Sequence, residues 1–418
     1  MRLLINLFIL SVLVSACSSS GQQESDYSLI EMNEKFPERA KSMNIYEVNI
    51  RQYTPEGTIN AFVSHLPRLQ AMGVDILWLM PIQPIGEKNR KGPLGSYYSI
   101  QDYTAVNPNS GTTEDFKNMV DEAHERGMLV ILDWVANHSA FDHEWAQIDG
   151  YHTVDSAGNV TWPEDTDWTD VADLNYDNMN MRADMIEELK WWVTEMDIDG
   201  FRCDVAGFVP MDFWNVAKDS LDQIKDLFML AEWDEPKMHD DAFHMTYAWG
   251  PHHWMNETAK GHFNVDSLEA LIQGDIDRYG ASPYRMMFTT NHDENSWNGT
   301  VFERFGEGHK AYAVWAFTVR GMPLIYSGQE SGLDKRLRFF DKDTIDFSDV
   351  KYQEFYTKLL ALKHENEALF NGEYGGGLSF IEDNNSSVSS FRRSTGNNIV
   401  TVVVNLSDKE QTVTFDEG

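Results

Sequence analysis

Three carboxylic acids stand at the ends of short apolar stretches that are predicted as β-strands. They are Asp204, Glu232 and Asp293. Carboxyl groups that converge on one pocket suit the cleavage of a glycosidic bond, because the oxocarbenium-like transition state needs a proton on the leaving oxygen and an anion beside the anomeric carbon. Desolvation and a neighbouring carboxylate raise the pKa of the acid that must stay protonated, and an adjacent cation keeps the other acid ionised.

Arg202 is placed to supply that cation. Apolar and polar residues alternate over 200–204, which predicts a short strand with Arg202 and Asp204 on one face. A lone pair of this kind is also explained by a buried structural salt bridge. Further charged or polar clusters end neighbouring strands, which favours a site. We therefore predict Asp204 as a nucleophile and Glu232 as an acid/base.

Eight strand-like stretches, most of them separated by helical patterns, run through the chain. They lie at 45–50, 76–80, 129–133, 200–204, 227–233, 243–249, 285–293 and 323–328. Repeated strand–helix units with short links predict a parallel sheet covered by helices. Eight units in order predict an α/β protein with a (β/α)8 TIM barrel, in which catalytic groups lie at the carboxyl ends of the strands.

Two segments lack this strand–helix repeat. Residues 138–178, after the third strand, are rich in Asp, Trp, Gly and Pro and show no long period, so we expect a small inserted subdomain. Residues 371–418 carry short alternating stretches, which predict a C-terminal antiparallel β domain that is either minimal or incomplete. The catalytic barrel is assigned to 41–370.

The first residues predict export. An apolar run over 3–14 follows Arg2; it is too short to span a bilayer and is typical of the hydrophobic part of a signal peptide. Residues 14–17 resemble a bacterial lipobox, which predicts a signal peptide over 1–17 and a lipid on Cys17. Simple secretion, with cleavage near Ala16, is the alternative.

Residues 18–40 are then predicted as a tether to the cell envelope. Ser18 and Ser19, rather than an Asp, follow the cysteine, which favours the outer membrane over the inner one. After Cys17 is used, Cys203 is the only cysteine of the mature fold, so no intrachain disulfide is expected.

Composition excludes some classes of partner. The chain has 67 acidic and 33 basic residues among its 418, and a formal net charge of −34. Nucleic acids and anionic lipid surfaces both require a basic footprint, so we expect neither as a partner. A neutral substrate is compatible with this charge, and membrane contact is expected only through the lipid on Cys17.

Four ordered segments resemble the α-amylase family of retaining glycoside hydrolases (glycoside hydrolase family 13). They are 133–138, 200–204, 231–233 and 288–293, and 171–175 resembles a fifth. By this resemblance Asp204 is the nucleophile, Glu232 the general acid/base and Asp293 the residue that stabilises the transition state. The resemblance also implies that Arg202 orients Asp204 and that Asp133 holds the base of the site together.

The resemblance further assigns residues that bind the sugar at the cleavage point. Tyr98 stacks on that sugar, and His138 and His292 bond its hydroxyl groups. No cofactor is required. Asn137 and Asp173 match calcium-ligand positions of the family, and oxygen ligands suit that ion; the histidine that accompanies them in endo-acting amylases is absent, which leaves calcium optional.

The implied activity is the hydrolysis of α-glucosidic bonds, α-1,4 foremost, in starch-like glucans or maltooligosaccharides. Typical endo-acting amylases carry a Lys-His pair after the nucleophile, whereas this chain reads Val205-Ala206-Gly207-Phe208. Val205 is closer to the α-1,6-glucosidase and neopullulanase-like branches. A transglycosylating member of the family and, from another class, a non-catalytic surface glycan-binding protein are the alternatives.

Overall fold

A computed structural model describes residues 34–415, so the predicted signal peptide 1–17 and Cys17 lie outside the described residues. The strands in chain order are β1 (Ile45–Val48), β2 (Ile76–Leu79), β3 (Leu129–Trp134), β4 (His138–Ser139), β5 (Ala172–Asp173), β6 (Gly200–Cys203), β7 (Phe228–Ala231), β8 (Met245–Tyr247), β9 (Tyr284–Met287), β10 (Met322–Tyr326), β11 (Gly377–Phe380), β12 (Val388–Thr395) and β13 (Asn398–Asn405). Eight of them close into a barrel in the order β1-β10-β9-β8-β7-β6-β3-β2. Every neighbouring pair is parallel, which confirms the predicted TIM barrel.

Helices cover the outside of the barrel. They are Ile50–Tyr53, Ile59–Val63, Leu66–Met72, Thr113–Glu125, Met179–Met196, Met211–Asp222, Trp249–Ala259, Val265–Tyr279, Val301–Phe305, His309–Thr318 and Gln353–Glu365. Their apolar faces are buried against the strands, which are themselves buried on both sides, as expected of a parallel sheet. Within residues 34–415, no helix has the length and apolar character needed to cross a bilayer.

The close approach of β6 to β7 depends on a glycine. A Cβ atom at Gly200 would lie 1.9 Å from the carbonyl oxygen of Phe228, so a side chain cannot fit there. Gly200 pairs with Phe228 and Arg202 pairs with Leu230. This register places the residues after β6 and β7 beside each other at the mouth of the barrel.

The amino end of the barrel is closed by residues that were predicted as tether. Phe36 is buried, and its ring packs against Phe228 with 5.4 Å between ring centroids. The backbone N–H of Phe36 donates to Asp226 Oδ2 at 2.7 Å. Residues Glu38–Ala40 form a 3-10 helix with Ala40 fully buried. The tether prediction over 18–40 is therefore wrong for 36–40, because their apolar side chains are part of the core.

The inserted segment after β3 is held by a two-stranded antiparallel sheet. β4 pairs with β5, with His138 opposite Asp173. A 3-10 helix, Glu144–Gln147, and a bridge between Val154 and Val160 complete it. This arrangement anchors both ends of the segment beside the mouth of the barrel.

The C-terminal domain is an antiparallel sheet in the order β11-β12-β13. It packs on the barrel helices, where Trp315 Nε1 donates to Ser389 Oγ at 3.2 Å. Arg393 is fully buried and donates to the carbonyl oxygens of Gly376 and Val319, each at 2.9 Å. The predicted antiparallel domain is thus present and firmly seated on the barrel.

Candidate active site

The barrel brings the three predicted carboxyl groups to its carboxyl-end mouth. Asp204 directly follows β6, Glu232 directly follows β7, and Asp293 lies a few residues past β9. Asp204 is 7% exposed and the Asp293 side chain is 34% exposed. The three acids therefore line one site, in which Asp204 lies deeper than Asp293.

The Arg202 guanidinium, fully buried, is the centre of the site. Its Nη1 donates to Asp133 Oδ1 at 2.8 Å and to Asp204 Oδ1 at 2.9 Å. Its Nη2 lies 3.0 Å from Glu232 Oε2, an ion-pair distance without the alignment of a hydrogen bond. Its Nε donates to the Tyr247 hydroxyl at 3.1 Å. One cation thus contacts three carboxyl groups, which offsets the cost of burying it.

Glu232 is engaged on one oxygen only. Oε2 accepts from the backbone N–H of Val205 at 2.7 Å and faces Arg202. Burial raises the pKa of Glu232 to about 8; Arg202 opposes this shift, while Asp204 and Asp293 add to it. Both contacts fall on Oε2, so Oε1 is the oxygen left to carry the proton. Glu232 is thus protonated near neutral pH.

The backbone at Val205 is strained. Its φ of 35° and ψ of 47° fall in the left-handed region, which a β-branched residue rarely adopts and which costs about 1–3 kcal/mol. This conformation turns the Val205 N–H onto Glu232 Oε2. The turn after the nucleophile therefore also positions the acid on the next strand.

His292 is held between two carboxyl groups and a tyrosine. Its Nδ1–H donates to Glu47 Oε1 at 2.5 Å, and its Nε2 lies 3.2 Å from Asp293 Oδ2 and 2.7 Å from the Tyr98 hydroxyl. Burial lowers the pKa of the His292 imidazole, but Asp293 and Glu47 outweigh burial and raise it to about 9. His292 is therefore the second cation of the site.

Tyr98 joins His292 to the buried base of the site. Its hydroxyl donates to Asp133 Oδ2 at 3.1 Å, and its ring stacks on the His292 ring with 5.5 Å between centroids. Trp78 Nε1 donates to the same oxygen of Asp133 at 3.2 Å. Asp133 thus accepts from three neighbours and cannot reach a substrate, in keeping with a structural role.

His138 lies on the opposite side, in the inserted segment. Its Nδ1 accepts from the Asn137 side-chain amide at 3.2 Å, so Nε2 carries the proton of the neutral ring. Burial lowers the pKa of His138, which keeps the ring neutral. A neutral ring with a fixed Nε2–H is suited to donate to a sugar hydroxyl.

The two residues predicted as calcium ligands already have protein partners. Asn137 donates to His138, and the Asp173 carboxylate is hydrogen-bonded to Thr153. Among residues 34–415, no group of three or more His, Cys, Asp or Glu side chains is arranged to hold a metal ion. The calcium assignment of Asn137 and Asp173 stays a prediction, and no step is assigned to that ion.

Glu47 and Tyr247 also belong to the site, but the sequence patterns did not predict them as site residues. Both are fully buried, Glu47 on β1 and Tyr247 on β8. A signal for Glu47 was present, because an acid within the apolar strand Ile45–Val48 is costly unless it has a partner. Tyr247 offers no such signal, since a tyrosine in a strand usually just packs.

Comparison with known proteins identifies the family. The sequence profile described as "Alpha amylase, catalytic domain" matches residues 34–164 and 164–366. The chain therefore belongs to the α-amylase family.

Solved structures and curated relatives agree. The structure of a maltogenic α-amylase from Thermotoga neapolitana is 32% identical with a TM-score of 0.81, covering 87% of this chain and 86% of that one. An α-amylase from Lactobacillus plantarum is 31% identical with a TM-score of 0.80, covering 89% of this chain and 90% of that one. "Alpha-amylase MalA" of Haloarcula japonica is 27% identical over 91% of this chain, which spans 58% of that relative's length.

Proposed function

We propose that this chain hydrolyses α-glucosidic bonds, α-1,4 foremost, in starch-like glucans or maltooligosaccharides, with retention of configuration. The observation that carries the proposal is the Arg202 guanidinium, which contacts Asp204 and Glu232 at 2.9 and 3.0 Å. It lies against two carboxyl groups whose surroundings differ, since Glu232 is held protonated and Asp204 is paired with the cation. In a retaining glycosidase, the protonated member of such a pair acts as the acid and the ionised member acts as the nucleophile.

The reaction proceeds by double displacement. Asp204 attacks the anomeric carbon through Oδ2, the oxygen that Arg202 does not bind, while the Glu232 proton passes to the leaving oxygen as the glycosidic bond breaks. The resulting Glu232 carboxylate then takes a proton from water, whose oxygen attacks the anomeric carbon and releases Asp204. Asp293, His138, His292 and Tyr98 are assigned to the sugar at the cleavage point.

Replacing the nucleophile tests this proposal. Asp204→Asn keeps the shape of the side chain but removes its charge, so turnover of maltotetraose should fall by at least about 10⁴-fold while the fold, followed by circular dichroism, stays intact. Normal turnover in this variant would contradict the assignment. Binding of maltooligosaccharides by the wild type without any product would instead support a glycan-binding protein.

The linkage preference and the fate of the intermediate need product analysis. Comparing rates on starch, pullulan and isomaltose separates α-1,4 from α-1,6 activity, which Val205 leaves open. Transfer products at high maltooligosaccharide concentration would identify a transglycosylating enzyme. A Salinibacter ruber relative, "Alpha-1,4-glucan:maltose-1-phosphate maltosyltransferase", is 26% identical over 88% of this chain.

We also propose that the protein is exported and held in the bacterial cell envelope by a lipid on Cys17, with the outer membrane favoured. The support is the lipobox-like sequence at 14–17. Cys17→Ser should move the protein from the membrane fraction to the soluble fraction, whereas Cys203→Ala, at the buried cysteine, should not. Unchanged membrane association of Cys17→Ser would contradict the anchor.

A further inference from the structure

Asp293 stands directly before a π-helix, Glu294–Asn298. Helices of this kind are rare and frequently occur at functional sites. The Asp293 side chain is partly exposed and lies 3.2 Å from His292 Nε2, so its place depends largely on the backbone turn that carries it. Whatever holds this turn therefore also holds the third carboxylate of the site.

The π-helix is held from inside by the buried side chain of Glu294. Its Oε1 accepts from the Asn298 side-chain amide at 2.9 Å, across the single turn of the helix. Its Oε2 lies 3.1 Å from His252 Nε2 and 3.7 Å from Arg304 Nη1. Burial raises the pKa of Glu294, but His252, Arg304 and Asn298 outweigh burial and lower it to about 2. Glu294 is therefore ionised, and both of its oxygens have protein partners.

Arg304 joins the two ends of the segment that carries Asp293. Its Nη2 donates to the carbonyl oxygen of Thr289 at 2.7 Å, and its Nε donates to that of Gly299 at 3.0 Å. Thr289 precedes Asp293 and Gly299 follows the π-helix. The same guanidinium thus fixes both ends of the turn while it faces Glu294.

His252 attaches the carboxylate of Glu294 to the barrel. It belongs to the helix Trp249–Ala259 and is 4% exposed. Its Nδ1–H donates to the carbonyl oxygen of Phe288 at 3.1 Å, and its ring stacks on the Phe288 ring with 4.4 Å between centroids. Nε2 is therefore the nitrogen that faces Glu294. We call Glu294, His252 and Arg304 the carboxylate anchor.

We propose that Glu294 is a positioning residue for catalysis, which together with His252 and Arg304 fixes the π-helix so that the Asp293 carboxylate stays against His292. The inference rests on the proposed function, in which Asp293 stabilises the transition state, and it adds a residue that acts only through another. A small displacement of a group that acts in the transition state lowers kcat more than it raises KM.

Glu294→Ala tests the anchor with two readouts. The variant removes both contacts of the carboxylate, so kcat on maltotetraose should fall by about 10- to 100-fold, with at most about a threefold rise in KM. The pKa of His292, titrated by NMR, should fall from about 9 by about one pH unit, because Asp293 no longer lies against its ring. An unchanged kcat and an unchanged titration would overturn the proposal.

Glu294→Gln separates the position of Asp293 from the charge of Glu294. The amide keeps the length of the side chain, and it can still accept from Asn298 and donate to His252 Nε2. Both the kcat, within about threefold, and the His292 titration should therefore stay close to those of the wild type. Equal losses in Glu294→Gln and Glu294→Ala would show that the charge acts directly, and would overturn the proposal.

Asp199→Ala is the matched control. Asp199 is also a buried carboxylate paired with a histidine and a cation, His124 Nε2 at 2.7 Å and Lys225 Nζ at 3.0 Å, but it lies just before β6, at the closed end of the barrel. It should lower Tm and leave the His292 titration near 9.

The remaining outcomes separate the anchor from the proposed function. A His292 shift of the same size in Asp199→Ala would assign the effect to a general loosening of the fold and overturn the anchor. Failure of the wild type to cleave maltotetraose would overturn the proposed function, whereas the His292 titration tests the position of Asp293 without any turnover.

Discussion

At the level of residues, the site is a balance between two cations and their surrounding carboxyl groups. Arg202 faces Asp133, Asp204 and Glu232, and His292 faces Glu47 and Asp293. The acids outnumber the cations, and a buried carboxylate without a cation is costly. Glu232 meets this excess by keeping its proton, which is the state that acid catalysis requires.

The first prediction concerns the pH dependence of catalysis. The pKa of Glu232 is raised to about 8, so its acid form is complete below that value and is lost as the pH rises through it. The kcat/KM on maltotetraose should therefore fall about tenfold per pH unit above pH 8. The kcat/KM on α-maltosyl fluoride should not show this fall, because fluoride leaves without the proton; the same fall on both substrates would assign the ionisation to another group.

The second prediction concerns Glu47. Glu47→Gln removes the charge that faces His292 Nδ1, so the pKa of His292 should drop from about 9 by about one to three pH units. Titration of the His292 ring by NMR measures this change. The exposed Glu87→Gln is the control, and an unchanged His292 titration in Glu47→Gln would show that Asp293 alone holds the charge.

The contact between Glu47 and His292 also makes the stability of the fold depend on pH. The folded-state pKa of His292 lies above its unfolded value of about 6.5. The stability that it contributes is therefore complete below pH 6.5 and is lost as the pH rises through about 9. The gap in unfolding free energy between the wild type and Glu47→Gln should narrow over that interval.

The roles of Arg202 and Asp204 could be predicted because their spacing on a strand fixes a common face. Glu47 could not be assigned, since its partner His292 is 245 positions away and only closure of the barrel brings the Glu47 side chain to the residues that follow β9. The strained φ of Val205 likewise has no local signal. Only the fold shows that this conformation brings the Val205 N–H to Glu232 Oε2.

At the level of elements, Arg393 joins the C-terminal sheet to the barrel. Its guanidinium donates to Val319 O, just past the helix His309–Thr318, and to Gly376 O. Arg393→Met leaves these carbonyl groups without donors, so the free energy of unfolding should fall by about 1–3 kcal/mol. Urea unfolding measures this free energy in the wild type and the variant.

Arg392→Met is the matched control, because Arg392 is the exposed neighbour on the same strand. It should change the free energy of unfolding by less than about 0.5 kcal/mol. Equal stability of the two variants would mean that the C-terminal sheet is held by apolar contacts alone.

The barrel strands were predictable as elements, since most are short, largely apolar stretches whose residues are buried. The boundaries of the helices were less predictable than the strands. The pattern from Ile59 to Met72 predicts one helix, but the structure has two, Ile59–Val63 and Leu66–Met72. The run Trp249–Trp254 contains a Gly-Pro pair, yet it forms the first part of the helix Trp249–Ala259, because Pro251, His252 and Met255 are buried against the barrel.

At the level of the whole molecule, the net charge of −34 opposes compactness. Salt screens this self-repulsion. Raising NaCl from about 10 to 150 mM at pH 7 should therefore raise Tm by an amount on the order of a few °C. The effect should weaken as the pH approaches the sequence pI of about 4.6; a fall in Tm with salt at pH 7 would show that specific ion pairs dominate instead.

The seating of Phe36 at the amino end of the barrel has an orientational consequence for a lipid-anchored protein. A chain fixed at Cys17 has 16 residues, 18–33, before the described part begins, and these extend to at most roughly 50–60 Å. In a protein anchored in this way, the attachment would enter at the closed end of the barrel. The open mouth, at the other end, would carry no link to the lipid, and a polysaccharide could reach it from solution.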